Sequence, residues 1–464
     1  MREICFALYF GNRGFFPGEL IKDARQELTQ VVEQAGYRYI MMDESLTRFG
    51  AVETMEEGLQ YAKFLKEHQG EYDGIILCLP NFGDENGALV ALEGVNVPIL
   101  VQAYPDELDK MDFTHRRDAV CGKIAMCNCL RQRGMRYTLT DKIAESPSSE
   151  DFAKDLEKFA AICRVVSGMR HVHIGAIGAR TTAFKTVRCD EIAMLRKGVD
   201  IEDYDLSDIM NRMENVDCEN ARNRAQQLIQ KFSGLEKHPE KADHMARLAI
   251  VLDELIKTMK LDAVAVRCWD ELEKKLGIAP CLVMSELNNR LIPAACEMDL
   301  NNALMMLALQ LAGNSPVMLL DVNNNYGEDL SKCILFHCSA VPSTLMSDQV
   351  CVGEHLMFKK IYGAGSGIGI ASGKILDGEV TMGSMKTEDG RIHAFISEGR
   401  LTDDPVGEGF FGCGVVFEKD NMKDLFHYLC ENGYRHHVAL VPGHYAEAVA
   451  EAMNKYLDYD AQQV

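Results

Sequence analysis

The sequence predicts an α/β protein with two Rossmann-like parallel-sheet domains, followed by a β-rich, barrel-like carboxyl-terminal domain. Up to about residue 340, short apolar runs alternate with longer helical patterns, which is typical of parallel sheets with crossover helices. After about Val341, glycines recur every few residues among β-branched and polar residues, which favours short antiparallel strands. The length of 464 residues also predicts more than one domain. We therefore expect domains at 1–168, 169–342 and 343–464.

The first domain is predicted to alternate strands and helices. Apolar β-rich runs predict strands at 4–10, 37–42, 74–79 and 98–103, and helical patterns predict helices at 18–36, 55–69 and 149–168. Loops that follow the strands of such a sheet gather at its carboxyl edge, where ligands bind. Asn12, Arg13 and Asn81 lie on those loops.

The second domain is predicted to begin with a strand at 171–177. Helices are expected at 205–230, 241–259 and 301–312, and further strands at 263–267 and 317–321. The strand at 263–267 is followed by Cys268 and Trp269, and the strand at 317–321 ends on Asp321. We expect the carboxylates of this domain at the loop edge of its sheet.

The composition excludes some classes of protein. Seventy acidic side chains against 49 basic ones give a formal charge of −21, whereas nucleic-acid binders need a basic surface. The same acidic balance argues against binding to an anionic membrane. No apolar run approaches the roughly 20 residues that span a bilayer. The amino terminus has no export-signal pattern, and the sixteen cysteines show no CxxC pair, so we expect a cytoplasmic protein with reduced thiols.

Two carboxylates and an imidazole lie at the edges of apolar segments between residues 296 and 338. They are Glu297 in ACEMDLNNALMM, Asp321 in PVMLLDVNN and His337 in ILFHCS. Such oxygen and nitrogen ligands suit a divalent cation of the Mn, Fe or Mg type. Each residue also has a structural explanation: Glu297 as a helix cap, Asp321 as the end of a strand, and His337 as a hydrogen-bonded core histidine. The sequence alone leaves both explanations open.

A cation held by two carboxylates indicates a type of chemistry. It would polarise a carbonyl and acidify the neighbouring proton, which a carboxylate could move between adjacent carbons through an enediol. That reaction is aldose–ketose isomerisation. His436 and His437 precede an apolar strand and could add a ligand, although strand alternation predicts that at most one of them enters the site directly.

Several segments resemble, in their order along the chain, the L-fucose/L-arabinose isomerase superfamily, on its fucose isomerase side. They are LPNFGDENGALVAL, VPILVQAYPDE, CWDELEKKLGIAPC, SELNNRLIPAACEMDLNNALMMLAL, MLLDVNNN, FHCS and HHVALVPGH. The resemblance spans nearly the whole chain, and the CEMD and LLD pair is its most specific part. It implies two α/β domains, a barrel-like third domain and a homo-oligomer, a hexamer or another trimer-based assembly.

The resemblance also implies roles for individual residues. Glu297 and Asp321 would be catalytic and would bind the metal together with His437, preferred over His436, and with His337. The metal would be Mn²⁺ or another divalent cation such as Mg²⁺, Fe²⁺ or Co²⁺.

Further residues would contact the sugar. They are Trp269, Asn323 and His436, together with Arg13 and Asn81, and also Asn12, from the first domain of a neighbouring subunit. For Trp269, stacking on a sugar face and a role in the core are equally compatible with its position after a strand.

The sugar itself stays open in the sequence. The chain is shorter than a typical fucose isomerase, its third domain is compact, and FHCS departs from the usual ending of that motif. An L-fucose-like sugar, a pentose, or a 6-deoxy or 6-substituted hexose such as a sulfonated one all fit. Two other functions compete with isomerisation: a sugar-binding or regulatory protein of paired α/β domains, and a metal-dependent sugar aldolase or epimerase.

Overall fold

The computed structural model describes residues 3–338, 340–347, 349–407 and 410–464. The chain divides into two compact units, Met1–Ser167 and Gly168–Val464. The first unit is α/β, and the second combines a parallel sheet with a larger β-rich sheet. The predicted fold class is therefore confirmed.

The first unit is a five-stranded parallel sheet flanked by helices, with the strand order β2-β1-β3-β4-β5. Its strands are β1 (Cys5–Phe10), β2 (Arg38–Met41), β3 (Gly74–Leu79), β4 (Ile99–Ala103) and β5 (Thr138–Leu139). Its helices are α1 (Leu20–Gln34), α2 (Met55–Glu67), α3 (Glu85–Ala91), α4 (Ala119–Gln132) and α5 (Glu150–Met169), the last of which runs into the second unit. Every residue of β1, β3 and β4 is buried, as expected of central parallel strands covered on both faces.

The second unit begins with a four-stranded parallel sheet in the order β7-β6-β8-β9. Its strands are β6 (Val172–Ile177), β7 (Val199–Tyr204), β8 (Ala263–Val266) and β9 (Ala294–Cys296). The helices of this part are α6 (Glu191–Leu195), α7 (Leu206–Glu214), α8 (Cys218–Lys231), α9 (Pro239–Met259), α10 (Glu271–Leu276), α11 (Cys281–Asn289) and α12 (Leu300–Gly313).

The rest of the second unit is built around a closed sheet. Its remaining strands are β10 (Met318–Tyr326), β11 (Asp329–His337), β12 (Cys351–Glu354), β13 (Ile368–Ser372), β14 (Gly378–Glu388), β15 (Arg391–Thr402), β16 (Cys413–Glu418), β17 (His437–Pro442) and β18 (Asp460–Gln463), with helices α13 (Leu356–Tyr362), α14 (Met422–Glu431) and α15 (Ala446–Glu451) and a π-helical segment Ala452–Leu457. The order β14-β17-β10-β11-β16-β15 closes on itself because β14 also pairs with β15. This closure agrees with the predicted barrel and gives each strand of the ring a partner on both sides, while β18 pairs with β15 alongside the ring.

Helix α12 lies between the two sheets of this unit and packs against strands of both. Most of its residues, LNNALMMLALQLAG, are buried, which explains why its pattern is apolar on every side. Asp299 precedes it and accepts a hydrogen bond from the Asn302 backbone N–H at 3.1 Å, so Asp299 rather than Glu297 caps the helix.

Two sequence predictions about elements are wrong. The helix expected at 205–230 is two helices, because Asp217 accepts hydrogen bonds from the Glu219 and Asn220 backbone and starts α8 anew. The strand expected at 317–321 runs on to Tyr326 and pairs with β11 and β17 of the closed sheet, not with the parallel sheet. Asp321 therefore lies within a strand instead of at its end. Among the described helices, none is long and apolar enough to cross a membrane.

Candidate active site

Glu297 lies directly after the short buried strand β9. Its φ is +58°, and that of Met298 is +62°, so two consecutive residues other than glycine adopt the left-handed conformation. Such conformations are unfavourable for L-residues and concentrate at functional sites. Here they turn the chain sharply between β9 and the cap of α12.

Asp321 and His437 are directly opposite one another on the antiparallel strands β10 and β17. The His437 Nε2 atom lies 3.4 Å from Asp321 Oδ1 and 3.6 Å from Glu297 Oε2. Chain segments from the parallel sheet and from the closed sheet thus bring three of the predicted ligands to one point. The His437 ring is fully buried, and the Asp321 and Glu297 side chains are 20% and 14% exposed.

The three facing atoms have no hydrogen-bond partner among the described residues. Glu297 Oε2, Asp321 Oδ1 and His437 Nε2 are all buried, and none of them is hydrogen-bonded to another described residue. Buried polar atoms normally have partners, since an unpaired one costs about 1–3 kcal/mol. Two carboxylate oxygens and one imidazole nitrogen form the donor set that suits Mn²⁺, Mg²⁺ or Fe²⁺. The residues therefore fit the predicted cation.

A second group of residues, which the sequence analysis missed, holds His437 in place. Asp299 is fully buried and its Oδ2 lies 2.9 Å from His437 Nδ1, so it accepts the Nδ1 proton and directs Nε2 at the carboxylates. Buried Arg435 donates to the other Asp299 oxygen, and Asn302 donates to Asp299 Oδ2 at 2.8 Å. Asp299 stands two residues after Glu297, and Arg435 immediately precedes the histidine pair. Those positions are the only signal that the sequence offers.

Burial and charge shift the protonation of the site. Burial raises the pKa of Glu297 to about 7 and that of Asp321 to about 6, while the charge of His437 opposes both shifts. Burial alone would lower the pKa of His437, but the hydrogen bond to Asp299 and the nearby carboxylates raise it to about 9. Burial opposes ionisation of Asp299 as well, yet Arg435 and His437 lower its pKa to about 2. The metal-free site thus holds protons that a cation would displace.

The structure brings both remaining histidines to the site. One nitrogen of His337 lies within 4.8 Å of ligand atoms of Asp321 and His437. Its Nδ1 accepts a hydrogen bond from the Ala340 backbone N–H at 3.3 Å, so in the neutral ring the proton is on Nε2. Burial lowers its pKa to about 3, so the ring is neutral. Ligation through either nitrogen would require loss of the hydrogen bond from Ala340, and a metal-binding role of His337 stays a prediction.

The expectation that only one residue of the histidine pair enters the site is wrong. His436 Nε2 lies 3.8 Å from Asp321 Oδ1, and its side chain is 45% exposed. Strand alternation does not apply because β17 begins at His437, one residue later. His436 therefore occupies the solvent side of the site, a position suited to contact with a substrate.

Trp269 and Asn323 differ in their surroundings. The Trp269 ring packs edge-on against Phe184, His355 and Phe358, with centroids 4.9–6.2 Å apart. His355 Nε2 lies 3.3 Å from the sulfur of Cys338, the residue after His337, so this aromatic cluster adjoins the site. Asn323 is exposed at a bulge where the pairing of β10 with β11 skips it. Sugar binding by either residue stays a prediction.

Arg13 and Asn81 lie in the first unit, on neighbouring loops of its sheet. The Arg13 backbone N–H donates to Asn81 Oδ1 at 3.3 Å, and the Asn81 amide donates to the buried Asn12 side chain. The Arg13 guanidinium pairs with Glu85 and lies over the Phe82 ring, 4.2 Å from its centroid. Hydrogen bonds, an ion pair and a cation–π contact therefore hold these loops together. Their contribution to a sugar site stays a prediction.

Two family descriptions match the chain. The family described as Fucose/sulfoquinovose isomerase, N-terminal domain, matches residues 7–170, and the one described as L-fucose isomerase, C-terminal domain, matches residues 335–463. The sulfoquinovose isomerase of Priestia aryabhattai is 22% identical over 391 residues, which cover 84% of this chain and 85% of that protein. The sulfoquinovose isomerase of Alkalicoccus urumqiensis is 21% identical over 390 residues, with the same two shares, and that of Clostridium sp. (strain MSTE9) is 25% identical over 190 residues, 39% and 41% of the two chains.

Proposed function

Because this chain belongs to the fucose isomerase-like family and is an aldose–ketose isomerase, we propose that it converts an aldohexose with a sulfonate on carbon 6 into the corresponding ketose. The relatives that align with most of this chain are named sulfoquinovose isomerases, which supports a sulfonated sugar over L-fucose or a pentose. The predicted family and reaction class agree with these matches. The choice of sugar is the proposed step.

One observation supports the mechanism most strongly. Side-chain atoms of Glu297, Asp321 and His437 face one another, and they have no hydrogen-bond partner among the described residues. We propose that these three residues, with His337, hold Mn²⁺ or a similar divalent cation. When bound, the cation polarises the sugar carbonyl and acidifies the proton on the adjacent carbon.

The protein side chains then orient the sugar and move the proton. Glu297 and Asp321 lie on segments from two different sheets. One carboxylate would take the proton from C2 of the aldose and the C1 oxygen would gain a proton, which gives an enediol. The C2 hydroxyl would then lose its proton while C1 gains one, which gives the ketose. Ligation to the cation would keep both carboxylates ionised, so that they can act as bases, and would fix their distance from the sugar. Asp299 keeps His437 oriented throughout, and His436 lies where it can hydrogen-bond a sugar hydroxyl.

We also propose that the enzyme is a cytoplasmic homo-oligomer. All sixteen cysteines are free thiols in the structure, which suits a reducing compartment. The first unit exposes large apolar side chains, Phe15 at 68%, Leu108 at 92% and Phe113 at 74%, of the kind that subunit contacts bury. Sedimentation analysis should show an assembly of three or six chains, and a monomer would contradict this part of the proposal.

A panel of sugars tests the function. The protein is stripped with a chelator, reloaded with Mn²⁺, and assayed with a 6-sulfonated aldohexose, its 6-deoxy counterpart, L-fucose and a pentose. We expect the highest kcat/KM with the sulfonated sugar, loss of turnover after chelation and recovery with Mn²⁺. A preference for L-fucose would refute the proposed substrate, and activity that is indifferent to chelation would refute the metal site.

A further inference from the structure

Among the described residues, two arginines beside Trp269 have no carboxylate partner, unlike most other buried or half-buried arginines of the second unit. Arg267 follows β8, and Arg180 lies on the loop after β6. In the described part of the chain, neither guanidinium has a carboxylate oxygen within 4.0 Å, whereas Arg224, Arg247 and Arg435 each pair with one. Their hydrogen bonds go to backbone carbonyls: Arg267 Nε donates to Trp269 O at 2.7 Å, and Arg180 donates to Thr181 O and Phe184 O.

These contacts fix the two guanidiniums, but most of their N–H groups have no acceptor among the described residues. An arginine offers five N–H groups, and Arg267 commits one of them. The Trp269 carbonyl also accepts from the Thr181 hydroxyl at 3.0 Å, and the Phe184 ring packs against the Trp269 ring. The loop after β6 and the loop after β8 are thereby tied together around one aromatic side chain.

Both loops lie at the same sheet edge as Glu297. Strand β8 lies between β6 and β9, and Val266 is paired with Cys296. Arg267 and Glu297 are therefore the next residues on adjacent strands, which run about 4.8 Å apart. The Met298 backbone N–H donates to Val266 O at 3.3 Å, so the two chains are still in contact where they leave the sheet. Arg267 and Trp269 thus adjoin the carboxylate site.

The buried carboxyl of Glu273 does not cancel this positive charge. Glu273 is 1% exposed, and neither of its carboxyl oxygens has a hydrogen-bond partner among the described residues. Burial raises its pKa to about 8 despite the opposing charge of Arg267, so this carboxyl is mostly neutral at pH 7. Asp270, for its part, is paired with Lys274. The two arginines keep a net positive charge at the rim of the site.

We infer that Arg267 and Arg180 form the subsite that binds the sulfonate of the substrate. In a hexose, the C6 substituent lies four carbon–carbon bonds from C2, so a sugar whose C1 and C2 lie at Glu297 and Asp321 can extend along Trp269 towards the adjacent loops. A sulfonate presents three oxygens, and a guanidinium binds such a group through two parallel hydrogen bonds. This inference rests on the proposed function, because it concerns the sulfonated sugar.

The test compares two sugars that differ only in the sulfonate. The kcat/KM values for the 6-sulfonated aldohexose and for its neutral 6-deoxy counterpart are measured in Mn²⁺-loaded wild type, Arg267→Gln, Arg180→Gln and the double variant. Hydrogen bonds to charged groups of this strength correspond to about tenfold to a hundredfold in rate. We expect each single variant to lower the ratio of the two kcat/KM values by about that factor, and the double variant to lower it further.

Arg222→Gln, at an exposed position of α8, removes the same charge and is the matched control, which should keep the wild-type ratio. Thermal unfolding checks each variant, and the ratio remains informative if Arg267→Gln shifts Trp269, since such a shift affects both sugars. A wild-type preference for the sulfonated sugar that survives in the double variant would overturn the subsite alone. A wild type with no preference, or with no turnover of either sugar, would overturn the proposed substrate and the subsite with it.

Discussion

Replacement of Asp299 by Asn tests whether the buried network behind His437 sets the affinity for the metal. In the structure, one Asp299 oxygen accepts from His437 Nδ1 at 2.9 Å and the other accepts from Arg435. An asparagine has one acceptor oxygen, so whichever way its amide is turned, an NH₂ group faces another donor. The substitution therefore weakens either the orientation of His437 or the neutralisation of Arg435.

The structure sets the size of the two effects. Loss of the residue that orients a metal-binding histidine typically costs tenfold to a hundredfold in affinity, about 1.4–2.8 kcal/mol. Arg435 is 6% exposed and Asp299 fully buried, and removing one partner of a buried pair costs about 3–5 kcal/mol of folding free energy. We therefore expect Asp299→Asn to fold with reduced stability and to bind Mn²⁺ about 10–100 times more weakly.

Mn²⁺ affinity is measured by calorimetry or by the electron paramagnetic resonance signal of the free ion, and stability by urea unfolding. Asp262→Asn serves as the matched control. Asp262 accepts a hydrogen bond from the His173 backbone at the opposite end of β8, so its substitution should change stability without changing Mn²⁺ affinity. If Asp299→Asn binds Mn²⁺ as tightly as wild type, the network has no role in the metal site and the argument is wrong.

Three further predictions concern the protons of the site, the histidines His337 and His436, and the cap of α8. Mn²⁺ affinity should rise from pH 6 to pH 9, because protons on Asp321, Glu297 and His437, with pKa values of about 6, 7 and 9, must leave before the cation binds. Calorimetry in buffers of different ionisation enthalpy should detect the release of these protons. An affinity that does not change with pH would contradict the assignment of these residues as metal ligands. His337→Asn should weaken Mn²⁺ binding about tenfold. His436 is half-exposed, so His436→Asn should raise KM for the sugar and leave Mn²⁺ affinity nearly unchanged. The reverse result would mean that His436 binds the metal and His337 the sugar. Asp217→Ala should lower the unfolding free energy by about 1 kcal/mol through loss of the cap of α8, without affecting turnover, and an unchanged urea midpoint would show that the cap is dispensable.

The sequence predicted most elements because their apolar periodicity is strong. Strand β3 was predicted at its observed bounds, and β1 and α12 to within one residue at each end. Prediction failed where short-range polar chemistry decides the outcome. Asp217 divides a continuous helical pattern by capping, and the strand that carries Asp321 joins the closed sheet through pairing with β17, more than 100 residues later. Periodicity along one segment contains no information about such a distant partner.

The residues of the site likewise fall into those that the sequence could predict and those that it could not. Glu297, Asp321 and His437 could be singled out because their residue types suit a cation and their segments resemble a known family. Asp299, Arg435 and Asn302 could not, since a buried carboxylate that orients a histidine differs from an ordinary helix cap only in its three-dimensional contacts. The position of His436 was mispredicted because β17 begins one residue after it, and strand boundaries are poorly determined by sequence.

The most direct test of the central claim is the turnover of Glu297→Gln and Asp321→Asn with the 6-sulfonated aldohexose and saturating Mn²⁺. Both substitutions preserve size, and circular dichroism and sedimentation are used to check that fold and assembly are retained. Positioned acid–base groups contribute about 10²–10⁴-fold in rate, and these two residues would also hold the cation. We predict that kcat falls at least about a thousandfold in each variant. Wild-type turnover by either one would contradict proton transfer by these carboxylates.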